Sequence, residues 1–191
     1  MSEEKKEAKA QDPQITDRLL KTRSIMLSGE INKESAEKII SQLLILEAED
    51  SEKEIKIFIN SPGGDVDAGY AIYDMVRFIS PKVTMIGAGL IASAASLVLL
   101  AVPSERRIGL PNSTYLIHQP MSGMKGVATA IEIYSKQIDK LREKLDRVIA
   151  NATNKSVEEV KKDTERDHWM FCDEAKNYGL ISRIVEKRSD L

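Results

Sequence analysis

The stretch Ile55-Lys56-Ile57-Phe58-Ile59-Asn60-Ser61-Pro62-Gly63-Gly64-Asp65 decides the predicted fold. Its first five residues are rich in β-branched and aromatic side chains, which predicts a strand. The Ser61-Pro62-Gly63-Gly64 turn is expected to end that strand abruptly. Asp65 can cap a following helix that runs to about Ile79. The stretch therefore predicts a strand that leads directly into a helix.

The same strand-to-helix pattern occurs once before and once after this stretch. Residues 24–27 read as a short strand, and Asn32 can cap a helix that runs to about Ala48. Residues 83–88 read as a buried strand, and a helix is expected from Ala92. Three such units in succession predict an α/β fold with parallel strands and crossover helices.

The second half of the chain has a different pattern, dominated by one long helix. Short strands are expected at 107–110 and 114–118, followed by a glycine-punctuated extended segment at 121–126. The long helix should run from about Thr129 to Ala150. Its apolar residues alternate at steps of three and four, which is compatible with packing on its own domain or on another subunit: Ile131, Tyr134, Ile138, Leu141, Leu145 and Val148.

Shorter elements are expected near the end of the sequence. Ser156 and Glu159 have the spacing of a capping box that opens a helix. Asp173 can cap a short helix that Gly179 ends, and residues 180–185 read as a last strand.

Length and charge predict one folded domain without a nucleic-acid partner. The chain has 191 residues and a net charge of −2 at neutral pH. This length suffices for one core, and the slightly negative charge argues against nucleic acid or anionic lipid as the main partner. We expect residues 1–14 to be a charged flexible tail and residues 15–191 to form a single domain.

Neither a leader nor a membrane span is expected. The N-terminal residues are polar, unlike the apolar core of a signal peptide. The segment Val83–Val102 is uncharged and has the length of a membrane span. The residues in its middle are small and not strongly apolar, so a strand followed by a helix explains the segment better. Cys172 is the sole cysteine, which excludes an intrachain disulfide and fits the cytoplasm.

Three places in the sequence could carry chemistry, and each has a simpler structural explanation. Ser93 falls at a strand-to-helix junction, where a nucleophile gains from helix N–H groups, although small residues also line tight helix contacts. Gly63 and Gly64 could present backbone N–H groups to an oxyanion, or simply form a turn. His118 could act as a general base or as a hydrogen-bonded structural residue. The other histidine, His168, lies in a charged run that indicates a surface or ion-pair position.

Taken together and in this order, several motifs resemble the Clp-type ATP-dependent serine protease, proteolytic subunit (the ClpP family). The resemblance covers about residues 15 to 186. It rests on Ile59-Asn60-Ser61-Pro62-Gly63-Gly64, Ala92-Ser93, Ile117-His118-Gln119-Pro120, Asp163-Thr164-Glu165-Arg166-Asp167, Asp173-Glu174-Ala175 and Tyr178-Gly179-Leu180-Ile181.

The resemblance implies a fold and an assembly. The fold would be crotonase-like α/β, with a parallel-strand head domain (about 15–120 and 151–191) and a handle (about 121–150) made by the long helix and a short strand. Two stacked seven-membered rings would enclose a chamber in which unfolded polypeptides, delivered by an AAA+ unfoldase ATPase, are cut to short peptides. No cofactor and no metal would be needed.

The resemblance also implies roles for individual residues. Ser93 would be the nucleophile, His118 the base and Asp167 the orienting carboxylate, and the backbone N–H groups of Gly64 and Ala94 would form the oxyanion hole. Three further sets follow: a strand that pairs with substrate (Gly123, Met124, Lys125, Gly126 and Val127), a contact between rings (Glu165 and Arg166), and an ATPase docking surface (Lys56, Phe58 and Phe78).

Three departures from the family pattern suggest a divergent member. Ala94 stands where methionine usually follows the nucleophile, Lys56 stands where an aromatic residue is common, and the N-terminal tail is more charged than usual. These differences suggest a mixed assembly with a paralogous subunit, or a latent or structural subunit that needs this second type for activity. An acyl-CoA hydratase-like enzyme on the same fold is a further alternative, and a membrane-bound signal-peptide peptidase is a distant one.

Overall fold

The computed structural model describes residues 13–121, 123 and 125–191. Short 3-10 turns lie at Ser104–Arg106 and Arg188–Asp190. The strands are β1 (Ser24–Ile31), β2 (Ile55–Gly64), β3 (Val83–Ala92), β4 (Arg107–Gly109), β5 (Thr114–Ile117), β6 (His168–Phe171) and β7 (Arg183–Ile184). The helices are α1 (Pro13–Lys21), α2 (Lys33–Glu49), α3 (Val66–Phe78), α4 (Ala94–Leu99), α5 (Ala128–Thr153), α6 (Val157–Asp163) and α7 (Cys172–Tyr178).

The strands form one mostly parallel sheet, which confirms the α/β prediction. Its main path runs β1-β2-β3-β4-β7, and each neighbouring pair on that path is parallel. Strand β5 pairs with β3 off this path, and β6 pairs with β5 in antiparallel orientation. Because parallel strands end at the same edge of a sheet, the carboxyl ends of β2, β3 and β5 come together there.

Strand β3 is longer than the sequence predicts because it changes partner along its length. Met85–Gly87 pair with β4, whereas Leu90–Ala92 pair with Thr114–Leu116 of β5. The second partner extends the strand to Ala92, so the helix that was expected from Ala92 begins instead at Ala94. Ser93 therefore occupies the corner between strand and helix.

The expected abrupt end of β2 at Ser61 is wrong. The strand continues to Gly64, with a register shift against β3 between Ile59 and Ser61. Its last two residues pair with Glu30 and Ile31 of β1, which itself extends beyond the predicted Leu27. The extension is possible because Gly63 and Gly64 adopt φ values of 87° and 146°, which other residues rarely reach.

Several predicted caps are confirmed, and one is wrong. Asn32 Oδ1 accepts a 2.8 Å hydrogen bond from Ser35 N, and Asp65 Oδ1 accepts one of 2.7 Å from Ala68 N. Gly179 ends α7 in the left-handed conformation, as expected. Asp173 does not cap that helix, because α7 already begins at Cys172 and Glu174 Oε2 accepts a 2.8 Å hydrogen bond from Phe171 N.

The ends of the chain differ from the predictions as well. Helix α1 was not predicted, since residues 1–14 were expected to be a flexible tail; Pro13 and Gln14 belong to this helix, and the rest of the tail lies outside the described residues. The last strand is limited to Arg183–Ile184, because only these two residues pair with β4.

The long helix α5 has one end packed on the sheet domain and one end exposed. Leu145, Ile149 and Ala150 are buried in the main core, whereas Ile131 and Ile133 are 44% and 66% exposed. Packing on its own domain is therefore confirmed for the C-terminal part of the apolar stripe, and packing on another subunit stays a prediction for the exposed N-terminal part.

The segment Val83–Val102 folds as β3 followed by α4, a helix of six residues. Within the described part of the chain, none of the helices combines the length and the apolar character that crossing a bilayer requires.

Candidate active site

Ser93 sits in a strained backbone conformation at the end of β3. Its φ and ψ are 56° and −122°, an unusual combination for a residue with a side chain. Two hydrogen bonds hold the corner: Ser93 N donates to Leu116 O at 2.9 Å, and Ser93 O accepts from Ser96 N at 2.9 Å. Such strain persists only where the surroundings enforce it, and it is concentrated at functional sites.

A second serine, Ser96, stabilises this corner through hydrogen bonds, and the sequence did not predict its role. Ser96 is buried, and its hydroxyl lies 2.9 Å from the carbonyl oxygens of both Ile91 and Leu116. Its hydroxyl group therefore links the ends of β3 and β5 next to Ser93. A small polar residue in the first turn of a predicted helix gave no sign of this role.

The two glycines of β2 allow that strand to pass against the Ser93 corner. A Cβ atom on Gly63 would lie 2.5 Å from Ala92 O and 2.8 Å from Ser93 Cβ, closer than real Cβ contacts. On Gly64 it would lie 2.2 Å from Ile31 O. The glycines are therefore required by close backbone approach, and Gly63 lies directly against the residues on either side of Ser93.

Antiparallel pairing of β5 with β6 brings His118 next to Asp167. Ile117 pairs with His168 in antiparallel orientation. His118 follows Ile117 and Asp167 precedes His168, so these two residues are neighbours. His118 Nδ1 lies 3.6 Å from Asp167 Oδ1, which is longer than a hydrogen bond. The imidazole side chain is 10% exposed and the carboxylate side chain 60% exposed, so the pair is adjacent but open to solvent.

The residues of the candidate site line one cavity of about 320 Å³. It contains Ser93, His118 and Asp167 together with Gly64, while Ala94 is buried at the start of α4. The remaining lining residues are Pro62, Val66, Leu116, Pro120 and Met121. A serine, an imidazole and a carboxylate around one cavity are the groups that nucleophilic acyl transfer requires.

The profile of the Clp protease family matches residues 5–188. The chain belongs to this family. Three similar proteins add to the match. The chain is 53% identical to ATP-dependent Clp protease proteolytic subunit 2 of Treponema denticola, with 100% of this chain and 95% of that protein covered. It is 50% identical to proteolytic subunit 3 of Rhizobium etli (91% and 89% covered). A mutant of ClpP1 from Listeria monocytogenes superposes with a TM-score of 0.85 at 45% identity (92% and 98% covered).

Membership of the Clp protease family makes this chain a serine peptidase of the Clp type, and its fold is the ClpP fold, as the sequence predicted. The family also implies an oligomeric proteolytic subunit that works with Clp ATPases.

The segment expected to pair with substrate precedes α5. Gly123, Lys125, Gly126 and Val127 are exposed, and Met124 lies outside the described residues. No strand is assigned among the described residues of 121–127, so the short strand of the handle stays a prediction. Val127 O accepts a 3.1 Å hydrogen bond from Ile131 N at the start of α5.

The two residues expected at the ring contact lie beside Asp167 and are both exposed. Glu165 Oε2 accepts a 2.5 Å hydrogen bond from Arg142 Nη2 of α5, and this contact lowers the pKa of the Glu165 carboxyl. In this Clp protease chain Glu165 is therefore bound to its own long helix.

The structure separates the three residues expected to dock the ATPase. Phe58 lines an apolar cavity of about 570 Å³ together with Ile86, Leu110 and Val185. Lys56 lines a neighbouring cavity of about 660 Å³ that is richer in charge. Phe78 is 80% exposed at the end of α3 and lines neither cavity.

Proposed function

We propose that Ser93, His118 and Asp167 are the catalytic triad of a compartmentalised Clp-type peptidase. The observation that carries this proposal is the single cavity that all three side chains line, each from a different strand end or turn. Ser93 attacks the scissile carbonyl as His118 accepts its proton, and the same imidazole later protonates the leaving amine. Asp167 orients the ring and stabilises its charged form. Water then hydrolyses the acyl-enzyme by the reverse sequence of proton transfers.

The backbone N–H groups of Gly64 and Ala94 would stabilise the tetrahedral oxyanion. Gly64 lines the cavity beside Ser93, and Ala94 is the first residue of α4, where the N–H groups of a helix have no internal acceptor. The positive φ of Ser93 supports this assignment, since it marks a sharp turn of the backbone directly before the first N–H of α4. Ala94 supplies the same donor as methionine would, but it leaves more room beside the nucleophile.

Residues 123–127 would hold the substrate as an added strand. Backbone hydrogen bonds would then supply most of the affinity, which produces weak sequence preference. Unfolded polypeptide is the substrate form that can pair in this way.

Two stacked heptameric rings, with an AAA+ unfoldase docked at the face of Phe58, would complete the particle. The exposed apolar residues at the N-terminal end of α5 support contacts between subunits through the handle. Glu165 and Arg166 would take part in the contact between rings. Lys56 lines the cavity next to that of Phe58, and its charge there would weaken an apolar anchor, which favours a mixed particle in which a paralogous subunit supplies part of the docking. A cytoplasmic location is consistent with the single, buried, unpaired Cys172.

A fluorophosphonate probe tests the assignment of the nucleophile. We expect the assembled protein to be labelled, with the adduct on Ser93 in peptide mass spectra, and the Ser93→Ala variant to remain unlabelled. Ser104→Ala, on an exposed 3-10 turn, is the matched control and should label like the parent. Labelling that survives Ser93→Ala would contradict the proposed nucleophile.

Native mass spectrometry tests the mixed assembly. We expect the pure chain to form particles with low peptidase activity, and the addition of a paralogous proteolytic subunit to produce mixed particles with higher activity. A homo-tetradecamer that is fully active and binds the unfoldase without a second subunit type would overturn the mixed-assembly proposal and leave the triad unaffected.

A further inference from the structure

We propose that Asp146 and Thr164 are positioning residues that fix the catalytic base and the catalytic carboxylate relative to α5. The Asp146–Thr164 pair is a hydrogen bond of 2.8 Å from Thr164 Oγ1 to Asp146 Oδ1. Asp146 is 2% exposed and Thr164 is fully buried. The inference rests on the triad proposed above and adds the element that holds it.

Thr164 connects this pair to the catalytic base. Its carbonyl oxygen accepts a 2.7 Å hydrogen bond from Gln119 N, the residue directly after His118. The side chain of Gln119 continues the link, because its Nε2 donates to Glu165 O at 2.8 Å. The end of β5 is therefore held by two hydrogen bonds to the turn that leads into Asp167.

Helix α5 holds the same turn from a second position, one helical turn before Asp146. Arg142 Nη2 donates to Glu165 Oε2 at 2.5 Å, and Arg142 Nε lies 4.0 Å from Asp146 Oδ2. Residues 164 and 165 are thus attached both to α5 and to the residue after His118. A change in the orientation of α5 is transmitted to both partners of the His118–Asp167 contact.

The polar character of the Asp146–Thr164 pair indicates that it positions the turn and does not only pack it against α5. Burial raises the pKa of the Asp146 carboxyl, while the bond from Thr164 and the charge of Arg142 act in the opposite direction. Apolar residues of similar size would join helix and turn without desolvating a carboxylate. A hydrogen bond differs from an apolar contact because it depends on direction as well as distance. The hydrogen bond from Thr164 to Asp146 therefore restricts the angle of the turn as well as its distance from α5.

The distance within the triad shows why such an angle matters. His118 Nδ1 and Asp167 Oδ1 are 3.6 Å apart, so a shift of well under 1 Å decides whether they form a hydrogen bond. Misplacement on the order of 1 Å can cost about 10²-fold in rate.

Steady-state kinetics of the assembled protein on a short fluorogenic peptide test the inference. We expect Thr164→Val, which keeps the shape but removes the hydroxyl, to lower kcat about 10-fold or more with KM changed less than about twofold. Thr164→Ser, which restores the hydroxyl, should recover most of kcat. Thr153→Val on the same helix is the matched control, because Thr153 Oγ1 donates to Ile149 O without contacting the turn.

A fluorophosphonate count of reactive Ser93 in each preparation separates positioning from folding. If turnover per labelled site in Thr164→Val equals that of the parent, the pair has a structural role alone and the inference is wrong. Asp146→Asn keeps an acceptor for Thr164 and should retain turnover per site, whereas Asp146→Leu should lose it; equal loss in both would also overturn the inference. If Ser93 is unlabelled even in the parent, the proposed triad fails instead.

Discussion

Replacing His118 by alanine is expected to lower the rate of peptide hydrolysis about 10⁶-fold, the loss expected when the base of a catalytic triad is removed. The imidazole lines the Ser93 cavity and is the general base of the proposed triad. Without it Ser93 remains a weakly nucleophilic alcohol. The loss should appear in kcat for a short peptide that needs no unfoldase, which isolates chemistry from docking and unfolding.

The second histidine of the chain is the matched control. His168 follows Asp167 directly but packs its ring against Tyr178, with 5.5 Å between the ring centres. His168→Ala should therefore leave kcat within a few-fold of the parent. The Ser93→Ala/His118→Ala double variant should be no slower than either single variant, because the two side chains act as one unit. Retained peptide hydrolysis in His118→Ala would contradict the assignment of His118 as the catalytic base.

Alanine at Gly63 is expected to remove activity and to reduce stability together. The new Cβ would lie 2.5 Å from Ala92 O and 2.9 Å from Ala94 N, so β2 and the Ser93 corner must separate. Separation moves Gly64 away from Ala94 and breaks the proposed oxyanion hole, whose loss costs about 10²–10³-fold in kcat. Thermal unfolding and steady-state kinetics of the same preparation would measure both effects.

Gly29→Ala separates backbone strain from this steric effect. Gly29 has a φ of 78°, close to the 87° of Gly63, but a Cβ there would meet no atom within 4 Å. Its substitution should cost about 1–2 kcal/mol of stability from the left-handed backbone alone and leave kcat unchanged. Equal effects at the two positions would show that backbone strain, and not contact with the Ser93 corner, explains the Gly63 result.

Much of the sheet was predictable because its signals are local. Alternating apolar residues and the caps at Asn32 and Asp65 define β1, β2, α2 and α3 within a few residues. The ends of β2 and β3 were not predictable, since their extra residues are strands only through partners distant in sequence. Leu90–Ala92 depend on β5, and Gly63–Gly64 depend on β1.

The candidate site was predictable to a different extent. Motifs shared with the family pointed to Ser93, His118 and Asp167, and the fold places these three around one cavity. The supporting residues carried no such signal. Ser96 and Thr164 donate hydrogen bonds to carbonyl or carboxylate oxygens on other elements, and Asp146 accepts the bond from Thr164. Such contacts follow from tertiary packing and not from local pattern.

Helix α5 is packed at its C-terminal end and exposed at its N-terminal end, so it can rotate about a pivot near Asp146. From Ala128 to Asp146 it extends about 27 Å at the usual rise per residue. A movement of about 2 Å at the exposed tip is a rotation of about 4°, which shifts atoms about 5 Å from the pivot by only about 0.4 Å. This shift of about 0.4 Å is similar to the distance by which the 3.6 Å contact between His118 and Asp167 must shorten to become a hydrogen bond. On the triad proposed above, a neighbouring molecule that moves the tip by about 2 Å would thus adjust the contact between His118 and Asp167 by a fraction of an ångström.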